Sequence, residues 1–282
     1  TVPYVPRSFW SKWTAALKRQ YPKVTILGEV FDGDPAITSF FQGGRTGFDG
    51  IDTGIDTVFD YPMYFALRRA FVEGGDLREV ARTFSADRLY NNPGLLVTFL
   101  GLHDVSRFLS EKGATVPTLE VAQTFLMTAR GVPLLYYGDE IGMIGGGDPD
   151  NRRDFPGGFP GDPKDAFTAA GRTPEQEQVF NHVRQLGELR KHLPPLRRGK
   201  MIDLFSGQHQ YAYARVTKDS SVIVVLNNGA GRAQVSFDVS LAGLPNGAML
   251  EDRLGGSHSV KVENGKIETE IAPYSAAIYT AR

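Results

Sequence analysis

The chain has 282 residues, with 41% hydrophobic and 22% charged residues, the composition of an ordinary globular protein with room for one large or two average domains. A balance of 31 Lys and Arg against 32 Asp and Glu gives a net charge of -1 and includes no run of five basic residues, so the electrostatic footprint of a nucleic-acid binder is missing. The absence of cysteine excludes disulfide frameworks, thiolate zinc sites and thiol nucleophiles, and apolar stretches such as 95–100 fall far short of the roughly 20 residues that span a bilayer.

The first six residues carry neither the basic start nor the apolar block of a signal peptide, and the compartment is left open. Over residues 8–21, Phe9, Trp10, Trp13, Ala16 and Leu17 recur at helical spacing, which predicts a helix with one buried apolar face, Ser8 as N-cap and Pro22 beyond its end. Residues 24–31 form a β-branched run containing Glu29, stopped by Asp32-Gly33-Asp34-Pro35, and predict a buried strand ending in a carboxylate. A short strand at 57–60, helices over 63–72 and 77–89, a strand at 95–100, a helix over 119–129, a strand at 133–137 and a helix over 174–191 continue the alternation. This pattern predicts a parallel sheet covered by helices. Residues 138–173, rich in Gly, Pro and Asp, are too long for an ordinary connection and predict a lid or binding loop.

After Pro194-Pro195 the pattern changes to short strands at 210–216, 221–227, 233–239, 259–262 and 276–280, with turns at Asn227-Asn228-Gly229 and Asn246-Gly247. A separate antiparallel β domain is expected over 199–282.

Glu29 and Asp104 each fall at the C-terminal end of a predicted parallel strand, where α/β barrels and open sheets place their chemistry. Paired carboxylates suit glycosidic cleavage, because one donates a proton to the leaving oxygen while another stays ionised. A cap or a salt bridge to a neighbouring loop would equally explain Glu29, and a surface or core hydrogen-bonded pair would explain His103-Asp104. No second histidine lies at metal-ligand spacing from His103. Asp139-Glu140 reads as a structural turn. Phe155, Phe159 and Phe167, with Asp154, Asp162 and Asp165, would suit sugar recognition or simply pack on their own domain.

Three blocks, Leu27-Gly28-Glu29-Val30-Phe31, Phe99-Leu100-Gly101-Leu102-His103-Asp104 and Gly131-Val132-Pro133-Leu134-Leu135-Tyr136-Tyr137-Gly138-Asp139-Glu140, follow one another in the order and spacing of the α-amylase family of glycoside hydrolases, which the chain resembles over nearly its whole length. The segment from Arg153 to Asp162 resembles the cyclomaltodextrinase and neopullulanase-like members. The resemblance implies an α/β fold: the second half of a (β/α)8 TIM barrel over residues 1–198, with strands 5–8 and the helix after strand 4 at its start, followed by an all-β antiparallel sandwich over 199–282. It implies Glu29 as general acid/base, Asp104 as transition-state stabiliser, and His103, Arg107, Phe31 and Asp154 as substrate-binding residues.

Two departures stand out. Leu102 occupies the position before His-Asp where the family usually has Asn. The family's Asp nucleophile ends strand four, and Thr1 to Trp10 resembles the residues just after it, so the nucleophile would lie upstream of Thr1. Four βα units are countable where barrel closure takes eight, and an open half would expose two strand edges. The implied function is retaining hydrolysis of α-1,4 bonds in cyclodextrins, pullulan or maltodextrins by a completed barrel, with the isolated chain inactive. The rivals are a transglycosylating 4-α-glucanotransferase and a non-catalytic glucan-binding fragment. No cofactor is required, no metal ligand set is named, and a structural calcium is compatible with the family. The expected partners are an α-glucan oligosaccharide and either the missing N-terminal half or a self-association covering the open edges, with neither nucleic acid nor membrane.

Overall fold

A computed structural model describes residues 1–256 and 258–281. Helix α1 (Arg7–Gln20) starts directly after Pro6, whose φ of -55° is close to that of a helix, so Ser8 lies inside the first turn and is not the N-cap. Its seating also differs from the expected apolar face. Arg7 is buried and donates to the carbonyls of Arg45 (2.7 Å) and Ile51 (2.8 Å) and to the Asp49 carboxylate. Two turns on, Thr14 donates to the Thr53 carbonyl at 2.8 Å and Lys18 to that of Gly54 at 2.8 Å. Trp10 and Leu17 reach the core in part, while Phe9 and Trp13 are exposed. Polar side chains long enough to reach the carbonyls of the 45–54 loop decide which face of the helix turns inward.

Four short strands follow: β1 (Leu27–Gly28), β2 (Thr57–Val58), β3 (Val97–Phe99) and β4 (Val132–Leu134). β1 pairs parallel with β2 and β3 with β4, and a parallel bridge from Phe59 to Val97 joins the pairs, so the four strands stand in sequence order. The 24–31 run yields only two paired residues. The chain departs early, the Glu29 carbonyl accepting from the Val2 backbone at 3.1 Å. Gly28 suits that approach: a Cβ there would lie 3.1 Å from the Val2 side chain and 3.2 Å from that of Ile55, so both would have to give way by a few tenths of an ångström. Val2, Ile26, Val30, Ile55, Val58 and Leu96 make the apolar core at these strands.

Helices α2 (Pro35–Phe40), α3 (Tyr61–Phe71), α4 (Leu77–Phe84), α5 (Val116–Thr128), α6 (Pro174–His192) and α7 (Pro194–Arg198) fill the intervals. Helix α2 was not foreseen; Asp34 caps it by accepting from the Ala36 N–H at 2.8 Å, and Pro35 opens its first turn. Capping boxes at Thr115/Thr118 and Thr173/Gln176 start α5 and α6.

The C-terminal strands are β5 (Lys200–Ser206), β6 (Gln210–Val216), β7 (Ser221–Asn227), β8 (Ala233–Asp238), β9 (Met249–Asp252), β10 (Val260–Lys261), β11 (Lys266–Ile271) and β12 (Ser275–Ala281). Six form one antiparallel sheet in the order β10-β9-β12-β7-β6-β5, and β8 pairs with β11 in a second. Alternation sorts the faces: Ala212, Ala214, Ile223 and Val225 pack with Val235, Phe237, Ile267 and Ile271 of the small sheet, making a sandwich. On the other face of β6, Tyr213 meets Phe125 of α5, with ring centres 6.1 Å apart, and its hydroxyl bonds that of Thr128. β6 and β7 are therefore buried on both faces.

By compactness the chain divides into two units that interleave in sequence. One comprises Thr1–Arg68, Arg82–Phe99 and Gly131–Leu134 and holds all four parallel strands. The other comprises Arg69–Ala81, Leu100–Arg130 and the chain from Leu135 onward.

Within that second unit, Arg215 is buried and donates to the Thr128 carbonyl (2.7 Å), the Ala129 carbonyl and the Gly199 carbonyl (2.9 Å). Burial pulls its pKa down to about 10, which leaves it charged at neutral pH. Arg215→Met strands these carbonyls away from water and is expected to cost about 3 kcal/mol in urea unfolding. Arg232→Met, which removes an exposed pair with Glu270, should change stability by no more than about 0.5 kcal/mol.

Candidate active site

Of the expected site residues, Glu29 and Phe31 belong to the first compact unit and His103, Asp104, Arg107 and Asp154 to the second. In the first, Glu29 directly follows β1. Its carboxylate is partly exposed and, among the described residues, its Oε2 takes contacts only from Thr1, whose nitrogen lies 3.1 Å away and whose hydroxyl lies 3.5 Å away. Among the described residues no Arg or Lys side chain engages Glu29, and its ion pair is with the Thr1 nitrogen. Phe31, two residues on, is half exposed, and its ring rests on Tyr61 at 4.3 Å between centres. Tyr61 in turn packs on Phe99 at 5.1 Å. A ring backed in this way presents a fixed apolar face.

In the second unit, His103 and Asp104 lie on the loop that leaves β3. His103 Nε2 is 3.0 Å from Asp104 Oδ2, and Arg152 Nη2 is 3.3 Å from Oδ1. Arg152 also reaches Asp148 at 3.2 Å and donates through Nε to the His103 carbonyl at 2.9 Å. Next to it, fully buried Asn151 spreads its amide over three carbonyls of this loop: His103 at 2.7 Å, Val105 at 2.9 Å and Leu102 at 3.3 Å.

Arg107 departs from expectation. Read from sequence as a substrate ligand, it has a relative exposure of 0%. Its guanidinium donates to the carbonyls of Tyr137 (2.7 Å) and Asn151 (3.0 Å), approaches Asp139 at 3.3 Å, and lies 4.6 Å and 4.7 Å from the ring centres of Tyr136 and Tyr137. Its Nε and Nη1 are engaged by these inward contacts, which brace the rim, while Nη2 is buried without a hydrogen-bond partner among the described residues. Asp139 completes this knot, accepting from the Tyr136 N–H at 3.1 Å while its carbonyl takes the Gln123 amide at 3.1 Å.

Asp154 is exposed and lines a largely apolar cavity of about 350 Å³ with Leu109, Ile141, Met143 and Val179, a lining that includes neither His103 nor Asp104. In the same loop Phe155 packs against Phe167 at 4.5 Å, and Phe159 and Phe167 are exposed. Asp162 and Asp165 accept from the backbones of Phe159 (2.9 Å) and Phe167 (3.1 Å), and so hold turns. Among the described residues no group of three or more His, Asp or Glu converges as a metal site, and no helix is long and apolar enough to cross a membrane.

The polypeptide matches the model of the alpha-amylase catalytic domain over residues 5–164. The chain belongs to the alpha-amylase family. The β/α-amylase of Paenibacillus polymyxa is 28% identical across 99% of this chain and 21% of its own length, and neopullulanase 2 of Thermoactinomyces vulgaris is 29% identical across 97% and 43%. Among solved structures, the alpha-amylase of Geobacillus thermoleovorans, complexed with acarbose, superposes with a TM-score of 0.82 at 28% identity, covering 99% of this chain and 57% of that one. This alpha-amylase family chain thus spans between a fifth and three fifths of these relatives. Its fold is the second half of the family's (β/α)8 barrel followed by the antiparallel β sandwich.

Sequence reasoning missed Asn151 and Arg152. Their signal was an Asn-Arg-Arg triplet within a Gly- and Asp-rich loop, where side-chain donors are available to tie distant backbone.

Burial lifts the Asp139 carboxyl to about 7 against the opposing pull of Arg107. The folded chain therefore retains a proton that the unfolded chain releases near pH 4, and the associated stability is lost as pH rises from about 4 through 7, by up to roughly 4 kcal/mol. Unfolding midpoints of the parent and Asp139→Asn, compared from pH 4 to 8, should show the parent's stability relative to the variant falling across that window; a constant difference would refute the assignment.

Proposed function

We propose that this chain supplies the general acid/base and the transition-state-stabilising carboxylate of a retaining α-glucan hydrolase that cleaves α-1,4 bonds in cyclodextrins, pullulan or short maltodextrins. The reading is carried by Glu29: a partly open carboxylate just past a parallel strand, whose ion-pair partner is the Thr1 nitrogen 3.1 Å from its Oε2. A residue joined to Thr1 in a longer polypeptide would enter beside Glu29. An Asp there would meet the separation of about 5–5.5 Å that retention requires between nucleophile and acid/base.

In this reading the Asp attacks the anomeric carbon while Glu29 protonates the departing glycosidic oxygen. Glu29 then takes a proton from the water that releases the sugar. Asp104 and His103 bind sugar hydroxyls, Asp104 more tightly in the distorted transition state. Phe31 offers its backed ring to an apolar sugar face. Arg107 serves by fixing the rim, and Asp154 contacts more remote sugar units. The chemistry calls for no organic cofactor. Residues 1–198 contribute to the barrel and 199–282 form its companion domain. The other four strands come from a preceding half-barrel, as part of a longer polypeptide or as a separate chain.

The purified chain is incubated with β-cyclodextrin and with maltohexaose, alone and together with a polypeptide supplying the preceding strands, with and without glucose as acceptor. Turnover is expected only in the completed barrel, with retained anomeric configuration by NMR. Glu29→Gln in that assembly should lower kcat by roughly 10²–10⁴-fold while substrate binding persists. Activity within a few fold of the parent would remove Glu29 from the mechanism, and rapid cyclodextrin hydrolysis by the chain alone would remove the missing-nucleophile reading.

A further inference from the structure

The Asp104 loop has few internal fastenings, the Val105 N–H reaching the Leu102 carbonyl only at 3.4 Å. What holds it comes from a segment nearly fifty residues later. The Asn151 amide nitrogen meets three of its carbonyls, and Asn151 is itself fixed because its own carbonyl accepts from Arg107 Nε. The buried Arg107 guanidinium therefore anchors the element that holds the loop.

Arg152 adds a different constraint. Its Nε is on the His103 carbonyl and its Nη2 on the Asp104 carboxylate, so one planar fork ties the loop's backbone and its functional side chain together. Asp148 draws the same Nη2 from the other side at 3.2 Å, which limits the rotation of the guanidinium. His103 occupies the other carboxylate oxygen. Both oxygens of Asp104 thus have a partner.

We infer that Asn151 and Arg152 are positioning residues for Asp104: Asn151 sets the backbone of residues 102–105, and Arg152 sets the rotamer of the carboxylate. The inference rests on the reading of Asp104 as a sugar-facing carboxylate. It assigns no contact with substrate to Asn151. A carboxylate that must grip hydroxyls more tightly in the transition state than in the ground state tolerates little misplacement, and an error near 1 Å can cost about 10²-fold in rate.

Two measurements test it. In the 282-residue chain itself, hydrogen exchange of peptides covering 102–107 is compared with that of β6 and β7 for the parent, Asn151→Asp, Arg152→Gln and Arg152→Lys. Aspartate has the shape of asparagine but donates nothing to the three carbonyls, so exchange in the loop should rise about tenfold or more with the strands unchanged. Arg152→Gln, at a partly exposed side chain that folding tolerates, should raise it less, and Arg152→Lys should recover part of the protection. Unaltered loop exchange in both Asn151→Asp and Arg152→Gln overturns the inference, as does an equal rise in loop and strands.

In the glucan-hydrolysing assembly, Arg152→Gln should lower kcat by about 10–100-fold with KM changed by less than about threefold. Normal hydrolysis by Arg152→Gln overturns the inference and leaves the hydrolase reading intact. A parent assembly that hydrolyses nothing overturns the hydrolase reading, while the exchange data still decide whether the two residues hold the loop.

Discussion

The C-terminal end of α5 is buried, and a helix end leaves its last carbonyls without partners inside the helix. Water cannot satisfy them there, so side chains must. Arg215 of β6 takes the Thr128 and Ala129 carbonyls, and Arg190 of α6 takes those of Met127 and Leu196. Two cations at a helix C-terminus also complement its dipole. One polar anchor therefore binds a barrel helix, its successor and the central strands of the sandwich. This explains why residues 100–130 belong to the same compact unit as the β sandwich. An anchor made of long, fully committed side chains resists sliding in a way that apolar contact alone does not.

The rim around Asp104 depends on the same logic at smaller scale. Arg107 has no exposed atom, yet it organises Tyr136, Tyr137, Asp139 and Asn151 by giving each a partner or a flat cation to stack on. His103 and Asp104 are partly exposed, and of the residues that hold their loop Arg107 and Asn151 are buried while Arg152 is partly exposed.

What could be read from the sequence follows the range of the interactions. α6 was legible because its cap, its apolar positions Val179, Val183 and Leu186, and its basic last turn are all local. Asp34-Pro35 was equally local but was read as a stop when it is a cap followed by a first turn. β11 alternates cleanly between exposed and buried residues and could have been found, whereas the irregularity between Asp203 and Phe205 breaks that period in β5. Glu29 and Asp104 were visible because strand ends mark them. The inward turn of Arg107 was not, since its partners lie 30 to 44 residues away in the chain. The polar seating of α1 escaped for the same reason: Phe9, Trp10, Trp13, Ala16 and Leu17 at helical spacing suggest a buried stripe, and only the distant loop at 45–54 reveals that Arg7 and Thr14 take that place.

The position of β12 has a consequence for biosynthesis. Residues 275–281 lie in the middle of the six-stranded sheet, paired with β7 on one side and β9 on the other. Until they emerge from the ribosome, the β9–β10 pair is not joined to the rest of its sheet, and β7 shows a bare apolar edge. The four parallel strands pair in the order of their synthesis and face no such delay. The sandwich therefore closes only once β12 has been made, and a change that removed β12 would take out the centre of the sheet rather than a fringe.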